Sequence, residues 1–449
     1  MKDMTKGYPA KVIIMFALPL MVGFIFQQFY NIADSKIVSL YVGTGAFAAV
    51  GATGVISNVL IGFLNGLTQG FSIPIANSFG AKDEGRMRKN VAGTIVLALS
   101  TSIVLTIAGL IWIQDILVLL HTPDDIMETA LNYVRIILIG ITFTALYNMC
   151  ANILRAVGDS RTPVYSLLIA VVMNIALDLL FVRVFDWGIE GAAVATVIAQ
   201  AVAALLCGFI LIARFREILP KRESWKAEGA IYSELITTGL SMGLMSCIVH
   251  IGTVVLQGAI NSLGTLYVTA HTAARKVFDV LTMTLYTISL AMTTYVSQNT
   301  GAGRPDRVRQ GVRHALLIVS GITTVLIIVC LTGGRAVLQW ITTSKDAVTI
   351  DAAVMYLQIS IVFFYVLGPL MVLRCSLQGM GRKVIPVCSS ILEMTVKVLS
   401  AKFFVPAFGY VGVAYTEPIS WVVMLVLLAG AYILKKPEKH MSSERLNES

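Results

Sequence analysis

Apolar runs of membrane-spanning length recur along nearly the whole chain, and they constrain its fold more than any other feature. A helix of about 20 residues crosses a hydrocarbon core roughly 30 Å thick. Runs of that order occupy 11–40, 46–79, 91–113, 130–154, 163–184 and 190–213. Six more follow at 233–260, 266–299, 312–334, 352–376, 385–404 and 411–434. Hydrophobic residues make up 57% of the 449, too many for a soluble domain whose surface must carry polar groups. The expected fold class is an all-α integral membrane protein with about twelve transmembrane helices.

The runs come in two sets because the chain repeats itself. Gly43-Thr44 returns as Gly264-Thr265 and Gly80-Ala81 as Gly301-Ala302, both at an offset of 221 in the numbering. Arg86 and Arg88 return as Arg307 and Arg309, and Gly188 and Gly191 as Gly409 and Gly412, at the same offset. Leu154, Gly158 and Pro163 return as Leu377, Gly381 and Pro386 at 223. Six spans per half is an even number, so both halves enter the membrane from one side. The repeat is parallel, giving two pseudo-symmetric six-helix lobes, a pattern of secondary transporters. The expected domains are a first lobe at 1–213, a cytoplasmic linker at 214–232, a second lobe at 233–434 and a polar cytoplasmic tail at 435–449. Pro19, Pro74 and Pro369 fall inside spans and mark expected kinks.

The net charge of +9 follows membrane topology rather than nucleic-acid binding. Lys and Arg number 25 in the loops on the side of both termini and 5 in the opposite loops, which places both termini in the cytoplasm. The six cysteines lie in or beside spans and form no C-x-x-C, so they read as apolar filler rather than metal ligands or disulfides. No Walker A sequence is present, so uphill work is expected to draw on an ion gradient. Nothing in the chain points to an enzyme or to a cofactor.

Polar side chains inside a bilayer are costly, and those that persist line cavities or helix contacts. Gln27, Tyr30, Asn31 and Asp34 share one face of the first span at i, i+3, i+4 and i+7. Asn148 and Asn152 on the fourth span, Asn174 and Asp178 on the fifth, and Thr196 and Gln200 on the sixth are each i, i+4 pairs. Interhelical hydrogen bonding, worth about 0.6 kcal/mol per contact, explains the amide stripes as well as a cavity does. The aspartates are harder to account for that way. Asp34 lies roughly 34 Å along its span and Asp178 roughly 22 Å along its own, both outward of the midplane, with no Lys or Arg at i±3 or i±4. Two carboxylates facing one poorly hydrated cavity resist joint ionisation. With oxygens from Asn174 and Thr196 they form a candidate site for H⁺ or for a hard cation such as Na⁺.

The second half is equipped differently. Arg275 and Asp279 on the eighth span, and Glu393 and Lys397 on the eleventh, are i, i+4 pairs able to neutralise themselves within a helix. His250, Gln257 and Asn261 make a weaker stripe on the seventh. The contrast suggests cation coupling in the first half, with substrate contacts shared. Gln27, Tyr30, Asn31, Asn148, Asn152, Gln200, His250, Gln257, Arg275 and Glu393 are the candidates for a substrate cavity.

FYNIAD on the first span, NSFGAKDEGR closing the second, LRAVGDSRTP before the fifth, NIALDLLF within it and GIEGAAVAT opening the sixth resemble the multidrug and toxic compound extrusion (MATE) family. The resemblance covers nearly the whole chain. It implies a V-shaped pair of six-helix lobes that exports amphipathic, often cationic, organic compounds in exchange for H⁺ or Na⁺. By motif match it places Asp34, Asn174, Asp178 and Thr196 at the family's first-lobe cation site. Gln27, Tyr30, Asn148 and Asn152 correspond to polar residues lining that lobe's cavity. One branch of the family carries acids on the seventh and tenth spans. Here the seventh offers His250 and the tenth no carboxylate in its core, so a second-lobe cation site of that kind is not expected.

Competing readings are a flippase for a lipid-linked saccharide, an exporter of an endogenous metabolite, and a non-transporting scaffold or channel. A flippase needs several free cations for a pyrophosphate, whereas at least two of Arg275, Lys276 and Lys397 have acidic neighbours one turn away. The expected protein works as a monomer in the lipid bilayer of the cell membrane, binding small organic substrates and no nucleic acid.

Overall fold

The computed structural model describes residues 3–42, 44–119, 122–226, 228–341 and 346–434, with the side chains of 31–33, 35, 36, 39, 44–48, 52 and 341 outside that description. The expected tail at 435–449 also lies outside the described residues. The elements are helical: α1 (Pro9–Tyr41), α2 (Thr44–Ala81), α3 (Glu84–Leu119), α4 (Asp124–Ala156), α5 (Arg161–Asp178), α6 (Gly188–Arg214) and α7 (Gly229–Asn261). They continue as α8 (Thr265–Gly301), α9 (Pro305–Ile341), α10 (Ala347–Val362), α11 (Phe364–Gly379), α12 (Val384–Leu399), α13 (Val405–Phe408) and α14 (Tyr410–Leu434). Among the described residues 11 helices are long and apolar enough to cross a membrane, or 12 when the bent pair α10–α11 is taken as one span.

That pair is the run read as one span at 352–376. The two helices meet at a 52° bend, and the amides of Val366 and Leu367 both return to the carbonyl of Phe363. Pro369 lies one turn further on, where it removes a helix donor and crowds the carbonyl of Tyr365. Pro19 and Pro74 lie inside α1 and α2, which run through them.

The duplication is visible in the elements. α4 starts at Asp124 and α10 at Ala347, α5 at Arg161 and α12 at Val384, so both pairs keep the offset of 223. A π-helical turn follows each of the latter two, Leu179–Val184 after α5 and Ser400–Phe404 after α12. Such turns are rare and concentrate where helix geometry serves a site.

Two compact units result. One contains Pro19–Cys247, and the other contains Asp3–Leu18 together with the chain from Ile248. The leading parts of α1 and α7 thus each group with the opposite half of the sequence. In the first unit α7 meets α2 backbone to backbone. A Cβ on Gly66 would stand 2.5 Å from the Met242 carbonyl, and one on Gly70 would stand 2.5 Å from that of Thr238. Gly239 and Gly243 oppose them, so each helix presents a Gly-x-x-x-Gly face. Small residues spaced this way let helices in lipid approach closely enough for dispersion to hold them. The linker expected at 214–232 is shorter, since α6 runs to Arg214 and α7 begins at Gly229; within it Ile218 is buried, and Arg88 Nε donates to the Glu217 carbonyl at 2.8 Å.

In the second unit α8 is enclosed on all sides from Thr287 to Thr300, which makes it a core helix rather than an amphipathic one. The segment ahead of α1 is fastened to α8 and to the start of α9. Met4 is fully buried, its amide donates to Gln298 Oε1 at 2.9 Å, and Arg307 Nη2 donates to the Gly7 carbonyl at 2.9 Å.

Candidate functional site

The first unit gathers its polar groups from four helices. α5 carries Asn174 and Asp178, one turn apart on one face, with Asp178 as its last residue before the π-helical turn. Both are buried, at 1% and 0% exposed. Neither amide atom of Asn174 has a partner, and neither oxygen of Asp178 has a donor, among the described residues. The carboxyl of Asp34, from α1, is the close neighbour whose charge Asp178 feels. α1 also supplies Tyr30, whose hydroxyl reaches Thr196 Oγ1 of α6 at 3.4 Å. Thus Tyr30, Asp34, Asn174, Asp178 and Thr196, read from separate stripes, converge. Tyr133 of α4 joins them, lying within electrostatic reach of both aspartates.

Chemically this is an acid pair in a poorly hydrated interior with no Lys or Arg paired to it among the described residues. Leaving two carboxylates so close and uncompensated is strongly unfavourable. The pair therefore calls for a proton or a bound cation, and the neighbouring hydroxyl and amide oxygens suit either.

The remaining first-unit candidates are arranged as follows. Gln27 and Asn148 are half-buried, and Gln200 Oε1 is buried without a partner among the described residues. Asn152 is 3% exposed and engaged in packing polarity, donating to Thr68 Oγ1 at 3.1 Å and accepting from Arg155 Nη1 at 3.1 Å. The side chain of Asn31 lies outside the described residues.

The second unit holds a different cluster. Arg275 of α8 donates through Nε to Asp279 at 2.9 Å, as the one-turn spacing anticipated. It also donates through Nη1 to Glu417 of α14 at 2.7 Å, a partner that the spacing did not reveal. The Tyr356 hydroxyl donates to the other Glu417 oxygen at 3.2 Å. Lys397 donates to Glu393 at 2.9 Å and is 2% exposed. Arg374 lies within α11. Its guanidinium reaches Glu393 at 3.6 Å and bonds Ser389 and Ser390. Three acids thus meet three bases, and the cluster is neutral. Of the stripe on α7, Gln257 Nε2 donates to Asn261 Oδ1 at 2.9 Å and His250 is half-buried.

Tyr133, Glu417 and Arg374 escaped the reading of single helices because each acts across helices. A signal did exist in the repeat: Tyr133 and Tyr356 are 223 apart, and Thr196 and Glu417 are 221 apart.

A duplicated helical membrane protein with an uncompensated acid pair in one half, Asp178 fully buried and Asp34 half-buried, has the architecture of a membrane transporter. The chain belongs to the MatE family, whose model matches it twice, over residues 19–180 and 241–401. A probable multidrug resistance protein of Bacillus subtilis, YoeA, is 26% identical over 429 residues, covering 93% of this chain and 92% of its own. A FAD transporter of Shewanella oneidensis is 24% identical over 324 residues, 71% of each chain. Among solved structures, the outward-facing conformation of a multidrug resistance MATE family transporter of the MOP superfamily matches with a TM-score of 0.91. It shares 23% identity and covers 98% of this chain and 99% of that one.

Proposed function

We propose that the protein is a cation-coupled antiporter of the cell membrane. It exports small amphipathic organic compounds, often cationic, in exchange for H⁺ or Na⁺ by alternating access, with both termini in the cytoplasm. The observation that carries the reading is Asp178. It is fully buried beside a second acid, Asp34, and no group other than that carboxyl pairs with its oxygens among the described residues. Such a group is neutralised by a proton or by a cation that arrives from solution. Asp34, Asn174, Asp178 and Thr196 are its ligands in this reading, with Tyr133 beside them. Loading it stabilises one arrangement of the first unit and unloading the other, which ties ion entry to substrate exit. In this reading Gln27, Tyr30 and Asn148 of the same unit contact the substrate. The multidrug relatives support an organic substrate. The FAD transporter among them favours, as a second reading, an endogenous metabolite as cargo.

The test is efflux of a fluorescent cationic dye in inverted vesicles, with a pH or a Na⁺ gradient imposed in turn. One gradient should drive dye movement in the wild type and fail to do so in Asp178→Asn. Dye movement at the wild-type rate in that variant would place coupling elsewhere.

A further inference from the structure

Part of the second unit's charged cluster aligns, through the repeat, with positions of the first unit's candidate cation site, although Asp178 itself corresponds to Ala401. The duplication allows the two to be aligned position by position, because the helix starts fix the offset element by element. It is 223 from α4 to α10 and from α5 to α12. It is 221 from α6 to the start of α14, where Gly188 and Gly191 return as Gly409 and Gly412. At these offsets Tyr133 becomes Tyr356, Asn174 becomes Lys397 and Thr196 becomes Glu417. Gly43-Thr44 and Gly80-Ala81, which bracket α2, return at 221 around α8, and this makes Gly54 the twin of Arg275.

The substitutions are coherent. Where the first unit has a neutral amide, Asn174, the second has an ammonium. Where the first has a bare glycine, the second has a guanidinium. Where the first has a hydroxyl, Thr196, the second has a carboxylate. These groups find one another: Glu417 accepts from Arg275 at 2.7 Å and from Tyr356 at 3.2 Å, and Lys397 lies within its electrostatic reach.

We propose that the second unit's cluster is the duplicated counterpart of the first unit's cation site, held permanently filled by two tethered cations, the side chains of Arg275 and Lys397. The inference rests on the reading of the first unit as a cation site. It carries a consequence that reading does not: the second unit takes up no ion during transport, and deleting a tethered cation reopens a site for a monovalent cation. Asp279, Glu393 and Glu417 then outnumber Lys397 and Arg374 by one charge. The guanidinium slot, bounded by Asp279 and Glu417, suits a planar donor that can serve two carboxylates at once.

The experiment uses full-length purified protein and thermal unfolding, which does not require transport to be measured. Arg275→Ala is expected to melt lower than wild type, and methylguanidinium chloride is expected to restore at least half of the loss. The same concentration of choline chloride should not. Wild type, Arg275→Lys and the double variant Arg275→Ala/Glu417→Gln should not respond to methylguanidinium. If Arg275→Ala can be purified folded only with methylguanidinium present, that also supports the proposal. No response, an equal response in wild type, or failure to fold with and without the compound overturns it. Because this readout belongs to the second unit alone, failure of the first-unit reading shows up separately, as gradient-driven efflux that survives Asp178→Asn.

Discussion

Asp178 illustrates how much a single burial can decide. A carboxylate whose one partner among the described residues is another acid gains little from its folded surroundings. Asp178→Asn keeps the volume and removes the charge. Gradient-driven efflux is expected to fall roughly tenfold or more, while the melting temperature holds or rises because an unfavourable charge has gone. A drop in melting temperature with coupling intact would contradict this. Tyr133→Phe is expected to act more gently. Losing one polar hydroxyl beside the pair costs at most what a hydrogen bond does, about 0.5–1.5 kcal/mol, so the coupling ion's apparent affinity should weaken by up to about tenfold while maximal efflux persists. Titrating efflux against ion concentration separates the two effects. Glu393→Gln belongs to another class. It leaves Lys397, 2% exposed, without its carboxylate partner. A cost of about 1.5–3 kcal/mol in stability is expected, with coupling retained.

Helix contacts set the tolerance of the elements. Gly70 faces backbone, the Thr238 carbonyl at 2.5 Å and the Gly239 Cα at 2.6 Å from where a Cβ would sit, and backbone cannot rotate away. Gly70→Ala is expected to cost about 1–3 kcal/mol by forcing α2 and α7 apart. Gly258 on α7 has nothing within 4 Å of the same position. Gly258→Ala should instead stabilise the helix by about 0.5–1 kcal/mol, since alanine loses less backbone freedom. Opposite shifts in melting temperature for these two substitutions are the check. Equal shifts would mean that helix propensity, not the close approach, governs this helix pair.

At the scale of the molecule, the unlike charge of the two units bears on energetics. The first holds an acid pair with no paired Lys or Arg among the described residues, while the second holds three acids balanced by three bases. If the two aspartates carry two charges per cycle against one monovalent cation leaving, the exchange is electrogenic. The membrane potential then contributes about 2.3 kcal/mol per charge per 100 mV. Export of a monovalent dye from reconstituted liposomes is expected to depend on a valinomycin-set potential even with the coupling ion equal on both sides. Efflux indifferent to the potential but responsive to an ion gradient would mean one cation per cycle.

The sequence by itself determined the membrane class, the span count, the duplication and the stripes that carry Asp34, Asn174, Asp178 and Thr196. It could do so because length, apolarity and the 3.6-residue period are properties of one segment at a time. It also anticipated the pairs Arg275–Asp279 and Glu393–Lys397, whose partners sit one turn apart on one helix. Only the tertiary structure decided the rest. Glu417 reaches Arg275 from a helix far along the chain, and Tyr133 lies within electrostatic reach of two aspartates on other helices. Arg374 reaches Glu393 on another helix, and the run at 352–376 breaks at Phe363. The leading parts of α1 and α7 group with the opposite half of the chain. Each of these depends on which helix faces which, and periodicity within a segment says which face is polar but not what that face meets.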